Sequence, residues 1–244
     1  MTKITKLNYH NLIFENYNIK LYFTGRKKSI AVRVNCKNEI EILAPKNIDE
    51  KFIINFLANK KTWLDKKLSI SNKNKVKKNH AYIFGKETAI TPRKSDKNYF
   101  SFQDEKLILY YAENLAEKKI LFLFNEFIKN SARKFLNDRF TNLSKNTNLI
   151  AKELILKNNI SKWGSCSNKK IINLSFNLIC TKKSVIDYVI IHELCHLVEM
   201  NHSKNFWELV KNYCPNYKAE NKWLKEHNFL INQADHLELS TLLH

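Results

Sequence analysis

The stretch that decides the fold reads IIHELCHLVEMNH, residues 190–202. His192 and His196 are four residues apart, and on an α-helix such residues lie on one face, so both imidazoles can bind a single ion. Glu193 would project beside that ion, a position that suits a general base for a water molecule. The neighbouring side chains are apolar, and burying two imidazoles and a carboxylate without a ligand is costly. The stretch therefore predicts a buried helix with a metal site, and its ligands favour Zn2+.

A catalytic zinc site needs a third protein ligand. His202 is favoured, because residues 199–201 are turn-prone and can bring the chain back toward the ion. Asn201 can take the left-handed conformation that such a helix end uses. The alternative is a carboxylate from a later helix, with Glu208, Glu220 and Glu226 as candidates. The metzincin pattern has the same histidine spacing, but it requires Gly at position 199, where this chain has Glu, and a methionine after the third histidine. No methionine follows residue 202, so that subfamily is excluded.

Residues 1–111 are expected to form a β-rich N-terminal domain with one helix. Alternating apolar residues from Asn18 to Ala44 predict a small antiparallel meander. Asp49 is placed to cap a helix that runs to about Leu68. Strand-like runs return from Tyr82 to Tyr111.

Residues 112–244 are expected to form a second domain, which holds the metal site. A helical pattern from about Ala112 to Leu143 comes first. Three short strands follow, at Glu153–Lys157, Ser161–Ser167 and Ile171–Cys180. Ser184 and Asp187 then resemble a capping box that opens the helix with the two histidines. Together the two parts predict an α+β fold.

The composition indicates a globular chain with a large positive charge. Of the 244 residues, 44% are hydrophobic, and the net charge is +19. Such a charge raises nucleic acid or a nucleotide as a partner. Arg supplies only 5 of the 42 basic residues, however, and Arg is favoured for bidentate reading of phosphates and bases. The charge alone is therefore a weak sign of specific recognition.

We expect neither a secretory signal nor a membrane-spanning segment in this sequence. No secretory signal is seen at the N-terminus, and no apolar run approaches the roughly 18 residues of a membrane span. The five cysteines contain no C-x-x-C pair, which indicates reduced thiols. We expect a cytoplasmic protein with no membrane partner.

A family resemblance becomes clear once the wider motifs are added. The chain resembles the YgjP-like metallopeptidase family in Trp163-Gly164-Ser165-Cys166, in the run Val185–Ile191, and in Asn201-His202-Ser203 with Phe206-Trp207. The resemblance implies a zincin-like catalytic domain with His192, His196 and His202 as ligands. Lys162 departs from the family, which more often has Arg before Trp-Gly-Ser-Cys. The histidine spacing with a following Phe-Trp is also similar to the WLM and SprT proteases, which act on proteins crosslinked to DNA.

The expected reaction is hydrolysis of peptide bonds, with Glu193 as general base. Lys162, Tyr213 and Tyr217 are candidate substrate-binding residues, because a tetrahedral oxyanion needs a donor. The strand near residues 163–167 is a candidate edge for an extended peptide. Trp163, Trp207 and Trp223 are expected in the core. Two alternatives remain open, a metal-dependent phosphohydrolase of nucleotides and a DNA-associated protease.

Overall fold

The computed structural model describes residues 9–27, 29–34, 39–73, 76–113, 115–159, 161–239 and 241–243. The chain divides into two compact units, Met1–Lys75 and Val76–His244. The expected boundary near residue 112 lies inside the second unit. The reason is that the strands of residues 80–111 share one hydrophobic core with the helix that follows them. The expected α+β class is confirmed by the sheets and helices described below.

The first unit contains one sheet and one helix. Its elements are β1 (Tyr9–Phe14), β2 (Tyr17–Thr24), β3 (Ala31–Val34), β4 (Ile40–Pro45) and α1 (Glu50–Lys73). The strand order is β1-β2-β4-β3, and β2 runs parallel to β4, so the predicted antiparallel meander is wrong. Asp49 accepts a hydrogen bond from the Lys51 N–H, which supports the predicted start of the helix. Alternate residues such as Ile40 and Ile42 are buried against Leu57 and Leu64 of α1.

A second four-stranded sheet opens the second unit. Its strands are β5 (His80–Ile83), β6 (Lys86–Lys94), β7 (Tyr99–Gln103) and β8 (Lys106–Tyr111), in the order β5-β6-β8-β7. The long helix α2 (Glu117–Thr147) follows. Its buried residues include Ile120, Phe124, Ile128, Ala132 and Leu136, spaced by four, which places one face of the helix in the core.

The remaining elements carry the predicted metal site. They are β9 (Glu153–Lys157), β10 (Gly164–Cys166), β11 (Ile171–Ser175), α3 (Lys183–Cys195), α4 (Lys204–Tyr213) and α5 (Tyr217–Glu226), with 3-10 turns at Phe176–Cys180 and Asn228–His236. The three strands form a sheet in the order β10-β11-β9, so β10 is an edge strand. Helix α3 is buried over most of its surface, because its side chains are apolar on every face. None of the described helices is long and apolar enough to cross a membrane.

The start of α3 differs from the predicted capping box. The helix begins at Lys183, its N-cap is Lys182, and no side chain caps it. The carboxylate of Asp187 instead accepts two hydrogen bonds from the guanidinium of Arg139 on α2, at 2.5 and 2.7 Å. This bidentate ion pair joins α3 to α2 through a geometry that only Arg provides.

Candidate metal centre

Three imidazoles converge at the end of α3. His192 lies in the last turn of the helix, His196 is its C-cap residue, and His202 lies in the segment before α4. The nearest ring nitrogens of the three residues all lie within 4.8 Å of one another. Among the described residues, no other group of three potential ligands is this close, so none of the three alternative carboxylates joins it.

The donor set fits a small divalent cation. The Nε2 atoms of His192 and His202 are 3.1 Å apart. Zinc–nitrogen bonds of ~2.0–2.1 Å in tetrahedral geometry place two ligand nitrogens ~3.3 Å apart, close to the distance in this structure. Two imidazole nitrogens with no proton between them repel, and a cation between them removes that repulsion.

Two of the three histidines, His192 and His196, are held toward the neutral form that binds metal. Burial, together with the nearby rings of His196 and His202, lowers the pKa of His192 to about 3. Burial also lowers the pKa of His196. The Nδ1–H of His196 donates to the carbonyl oxygen of Glu199 at 2.9 Å, which leaves its Nε2 with a free lone pair.

The turn after α3 brings His202 back to the other two rings. The backbone N–H groups of Val198 and Glu199 both donate to the carbonyl oxygen of Cys195. These short-range hydrogen bonds form a turn that follows the end of the helix. Asn201 is not among the residues with positive φ, so the predicted left-handed conformation at this position is wrong. The turn reverses the chain through hydrogen bonds rather than through a left-handed residue.

Glu193 lies beside the three rings and is almost completely buried, with 6% of its surface exposed. Burial raises its pKa to about 8, against the opposing charge of Lys162. Gly164 of β10 packs directly on this side chain. A Cβ added at Gly164 would lie 2.7 Å from both Cγ and Oε1 of Glu193. The close approach of β10 to α3 therefore requires glycine at this position.

An open cleft of about 320 Å³ leads to the site. It is lined by Lys162, Gly164, Ser165, Cys166, His192, Glu193, His196, Met200 and His202. The predicted residue Lys162 thus lies in the cleft with the three histidines and Glu193. Its side chain forms no ion pair with a described residue, so a cation is free to meet a ligand there.

β10 is an edge strand of the described three-stranded sheet, and its residues line this cleft. The N–H of Ser167 donates to the carbonyl oxygen of Ile171 in β11. Residues of an antiparallel strand alternate between facing their partner strand and facing away from it. By that alternation, the backbone groups of Gly164 and Cys166 face away from β11.

The two predicted tyrosines do not line the cleft. The hydroxyl of Tyr213 donates to the carbonyl oxygen of Thr147 at the end of α2. The ring of Tyr217 stacks on Trp207, with ring centres 5.3 Å apart. Both side chains are thus engaged with other parts of the second unit.

The expected core tryptophans have different surroundings. Trp163 is buried and donates from Nε1 to the side-chain oxygen of Asn228. Trp223 is half-buried and stacks on His227. Trp207 is also half-buried, but it contacts the rings of His192 and His202. The sequence did not predict that Trp207 contacts these two rings or that Gly164 contacts Glu193. The motifs Trp-Gly-Ser-Cys and Phe-Trp, which contain these residues, were nevertheless visible.

Two histidines on a buried helix, a third after its end and a glutamate beside them define the class of zincin-like metal-dependent hydrolases. A family model described as "YgjP-like, metallopeptidase domain" matches residues 28–227. The match covers more than half of the chain, and the chain belongs to the YgjP-like metallopeptidase family. The resemblance found in the sequence is thereby confirmed. Comparisons with curated proteins and with solved structures found no match.

Proposed function

We propose that this protein is a zinc-dependent peptidase, in which His192, His196 and His202 hold the ion and Glu193 is the general base. The observation that carries the proposal is the convergence of three imidazoles beside a buried carboxylate, in a cleft that is also lined by the edge strand β10. The family supports a metal-dependent peptidase in general. The choice of zinc rests on the all-imidazole donor set.

A divalent cation in this site would polarise a substrate carbonyl and acidify a water molecule. Glu193 acts on the protons of the reaction. Its carboxylate accepts a proton from the attacking water and then donates that proton to the leaving amine. A buried carboxyl group can hold a proton between these two steps, because burial disfavours its charged form.

The edge strand β10 supplies the place for the substrate backbone. An extended peptide would pair with the outward-facing backbone groups of Gly164 and Cys166, as a strand added to a sheet edge does. Peptide pairing at this edge puts a backbone carbonyl close to Glu193, since Gly164 contacts that side chain. Lys162, which lies two residues before Gly164 and also lines the cleft, is the proposed donor to the oxyanion or to a substrate anion.

Cleavage that depends on Glu193 tests the proposal. The purified protein is loaded with Zn2+ and assayed with casein and a peptide library, beside a Glu193→Gln variant. Glu208→Gln is the matched control, since that carboxylate is 61% exposed on α4. We expect wild type and Glu208→Gln to cleave and Glu193→Gln to be inactive. Zinc-loaded protein that cleaves nothing, or that cleaves without Glu193, would contradict the proposal.

A second candidate function is hydrolysis of a nucleotide phosphate. The observation in its favour is the free cation of Lys162 in the cleft, in a chain with a net charge of +19. A panel of nucleotides, assayed for release of phosphate or diphosphate with divalent metals present, separates the two reactions. Absence of release across the panel would remove this candidate.

A DNA-associated protease is the third candidate, and it rests on the net charge and on the similarity of the histidine spacing and Phe206-Trp207 to the WLM and SprT proteases. Binding to DNA should weaken steeply with salt, with the logarithm of affinity falling linearly with the logarithm of salt concentration. Absence of binding at low salt would remove the candidate.

We also propose a cytoplasmic location, which rests on the cysteines. Cys166, Cys180, Cys195 and Cys214 are free thiols in the structure, as a reducing compartment favours. Cys36 lies outside the described residues.

A further inference from the structure

Three aromatic rings form a continuous stack next to the metal centre. The indole of Trp207 lies between the imidazole of His202 and the phenol of Tyr217. The ring centres are 5.6 and 5.3 Å apart, and the ring planes are inclined by only 23° and 19°. We propose that Trp207 is a positioning residue, which fixes the orientation of His202 as the third ligand. The inference rests on the proposed metal site and not on the identity of the substrate.

His202 needs such a device because no described carbonyl or carboxylate accepts a hydrogen bond from its ring. Ligand histidines in proteins usually donate from their outer nitrogen to a carbonyl or carboxylate, which fixes the ring. His196 follows this rule through the carbonyl oxygen of Glu199. His202 is exposed, and its only hydrogen-bond contact with a described residue joins its Nε2 to His192. Its outer nitrogen is left without a partner in the described part of the chain.

His192 presents the same problem. Its Nδ1 is buried and has no hydrogen-bond partner among the described residues. Its ring contacts Phe206 and Trp207 instead, with ring centres 4.9 and 5.8 Å away. Two of the three ligands thus lack the outer hydrogen bond, and the same two are the ligands whose rings contact Trp207.

The beginning of α4 explains how these aromatic side chains reach the site. Ser203 follows His202 directly and caps the helix, since its Oγ accepts from the N–H of Phe206 at 3.2 Å. The cap fixes the first turn of α4 relative to the preceding ligand. Phe206 is fully buried and contacts all three imidazoles, with ring centres 4.4 to 4.9 Å away. Phe206 thus packs against all three imidazoles, and Trp207 stacks on the ring of His202.

Metal affinity tests the role of Trp207 without any assay of cleavage. Zn2+ affinity is measured by competition with a chromophoric chelator for wild type, Trp207→Ala and Trp207→Phe. The matched control is Trp223→Ala, which removes an indole stacked on a histidine outside the metal centre, His227, with ring centres 4.0 Å apart. Loss of a residue that orients a ligand typically weakens metal binding about 10–100-fold, and we expect Trp207→Ala to fall in that range. Trp207→Phe should restore most of the affinity, and the control should match wild type.

The absorption spectrum of the Co2+-loaded protein gives a second readout. Trp207→Ala should change the intensity of the visible bands, because a reoriented His202 alters the coordination geometry, whereas Trp207→Phe should retain them. A folded Trp207→Ala protein with the affinity and spectrum of wild type would overturn the proposal. If that variant does not fold, Tyr217→Ala removes only the outer ring of the stack and should weaken Zn2+ binding less, but measurably. Unchanged affinity in Tyr217→Ala would then overturn the proposal.

The two proposals fail separately. Zn2+ affinity that depends on Trp207, in a protein that cleaves no peptide, supports the positioning role and contradicts the peptidase. Glu193-dependent cleavage, in a protein whose Zn2+ affinity does not depend on Trp207, supports the peptidase and contradicts the positioning role.

Discussion

Gly164 of the edge strand β10 lies in direct contact with Glu193 of helix α3. A Cβ at position 164 would be 2.7 Å from Cγ and Oε1 of Glu193, nearer than side-chain carbons approach other atoms. This contact joins the two parts of the proposed active site, the strand that would bind the substrate backbone and the residue that would move the proton. It also explains why glycine stands here, in a chain with only 3 glycines.

Gly164→Ala should therefore impair turnover while leaving the metal site filled. The added methyl group must push the Glu193 carboxylate away from its position, and a displacement of about 1 Å can cost about 100-fold in rate. We expect kcat to fall by about that factor with the Zn2+ content unchanged. Gly25→Ala is the control, because a Cβ there meets nothing within 4 Å. Full activity in Gly164→Ala would show that the contact does not position the base.

Lys162 should affect substrate binding or turnover through its charge. We expect Lys162→Ala to lower kcat/KM by about 10- to 100-fold, the scale of a lost charged donor. Lys162→Arg should retain most activity, since Arg also carries a positive charge there. Lys162→Glu should lower kcat/KM further than Lys162→Ala does.

Peptides that carry Glu or Gln near the cleaved bond, each with a free or amidated C-terminus, show whether Lys162 binds a substrate anion. If Lys162→Ala lowers kcat/KM only for the charged peptides, Lys162 binds a substrate anion. An equal decrease for all the peptides indicates that it binds the oxyanion. Lys169→Ala, in the exposed turn between β10 and β11, is the control. Activity of Lys162→Ala equal to that of the control would contradict any role.

The ion pair between Arg139 and Asp187 should contribute to stability rather than to chemistry. The two side chains are 38% and 25% exposed, so solvent screening limits the contribution to about 1 kcal/mol. Arg139→Lys keeps the charge but loses the bidentate geometry. We expect a lower free energy of unfolding in urea, by about 1 kcal/mol, with Zn2+ affinity unchanged. A variant as stable as wild type would show that the pair contributes nothing.

Metal removal should lower the melting temperature. A ligand that binds only the folded state stabilises it by about 2.7 kcal/mol when its free concentration is 100 times its dissociation constant. Differential scanning calorimetry of zinc-loaded and chelator-treated protein should therefore show a clear shift, which returns when Zn2+ is added back. An identical melting temperature with and without Zn2+ would contradict binding to the folded state.

The local elements of the metal centre could be predicted from the sequence, because they depend on spacing along the chain. The four-residue interval between His192 and His196 requires only that the segment be helical, and α3 confirms it. The predicted hairpin between residues 161 and 180 is likewise present as β10 and β11. Its second strand ends at Ser175, where a 3-10 turn replaces the last five predicted residues.

Pairings between distant segments could not be predicted in the same way. Alternation shows which residues of a strand share a face, but it does not identify the neighbouring strand, so the parallel pairing of β2 with β4 was missed. The Arg139–Asp187 pair connects residues 48 positions apart, and no local pattern records it. Contacts of Gly164 and Trp207 with the proposed site depend on the same kind of long-range packing.

The most direct test of the central claim is the metal content of the purified protein and its histidine variants. Inductively coupled plasma mass spectrometry after dialysis should find about one Zn2+ per wild-type chain, since three imidazoles form one mononuclear site. His192→Ala, His196→Ala and His202→Ala should each lose most of it, while His227→Ala, outside the three-histidine group, should retain it. Wild-type protein that binds no divalent metal, or a His202→Ala variant that keeps a full equivalent at wild-type affinity, would contradict the account.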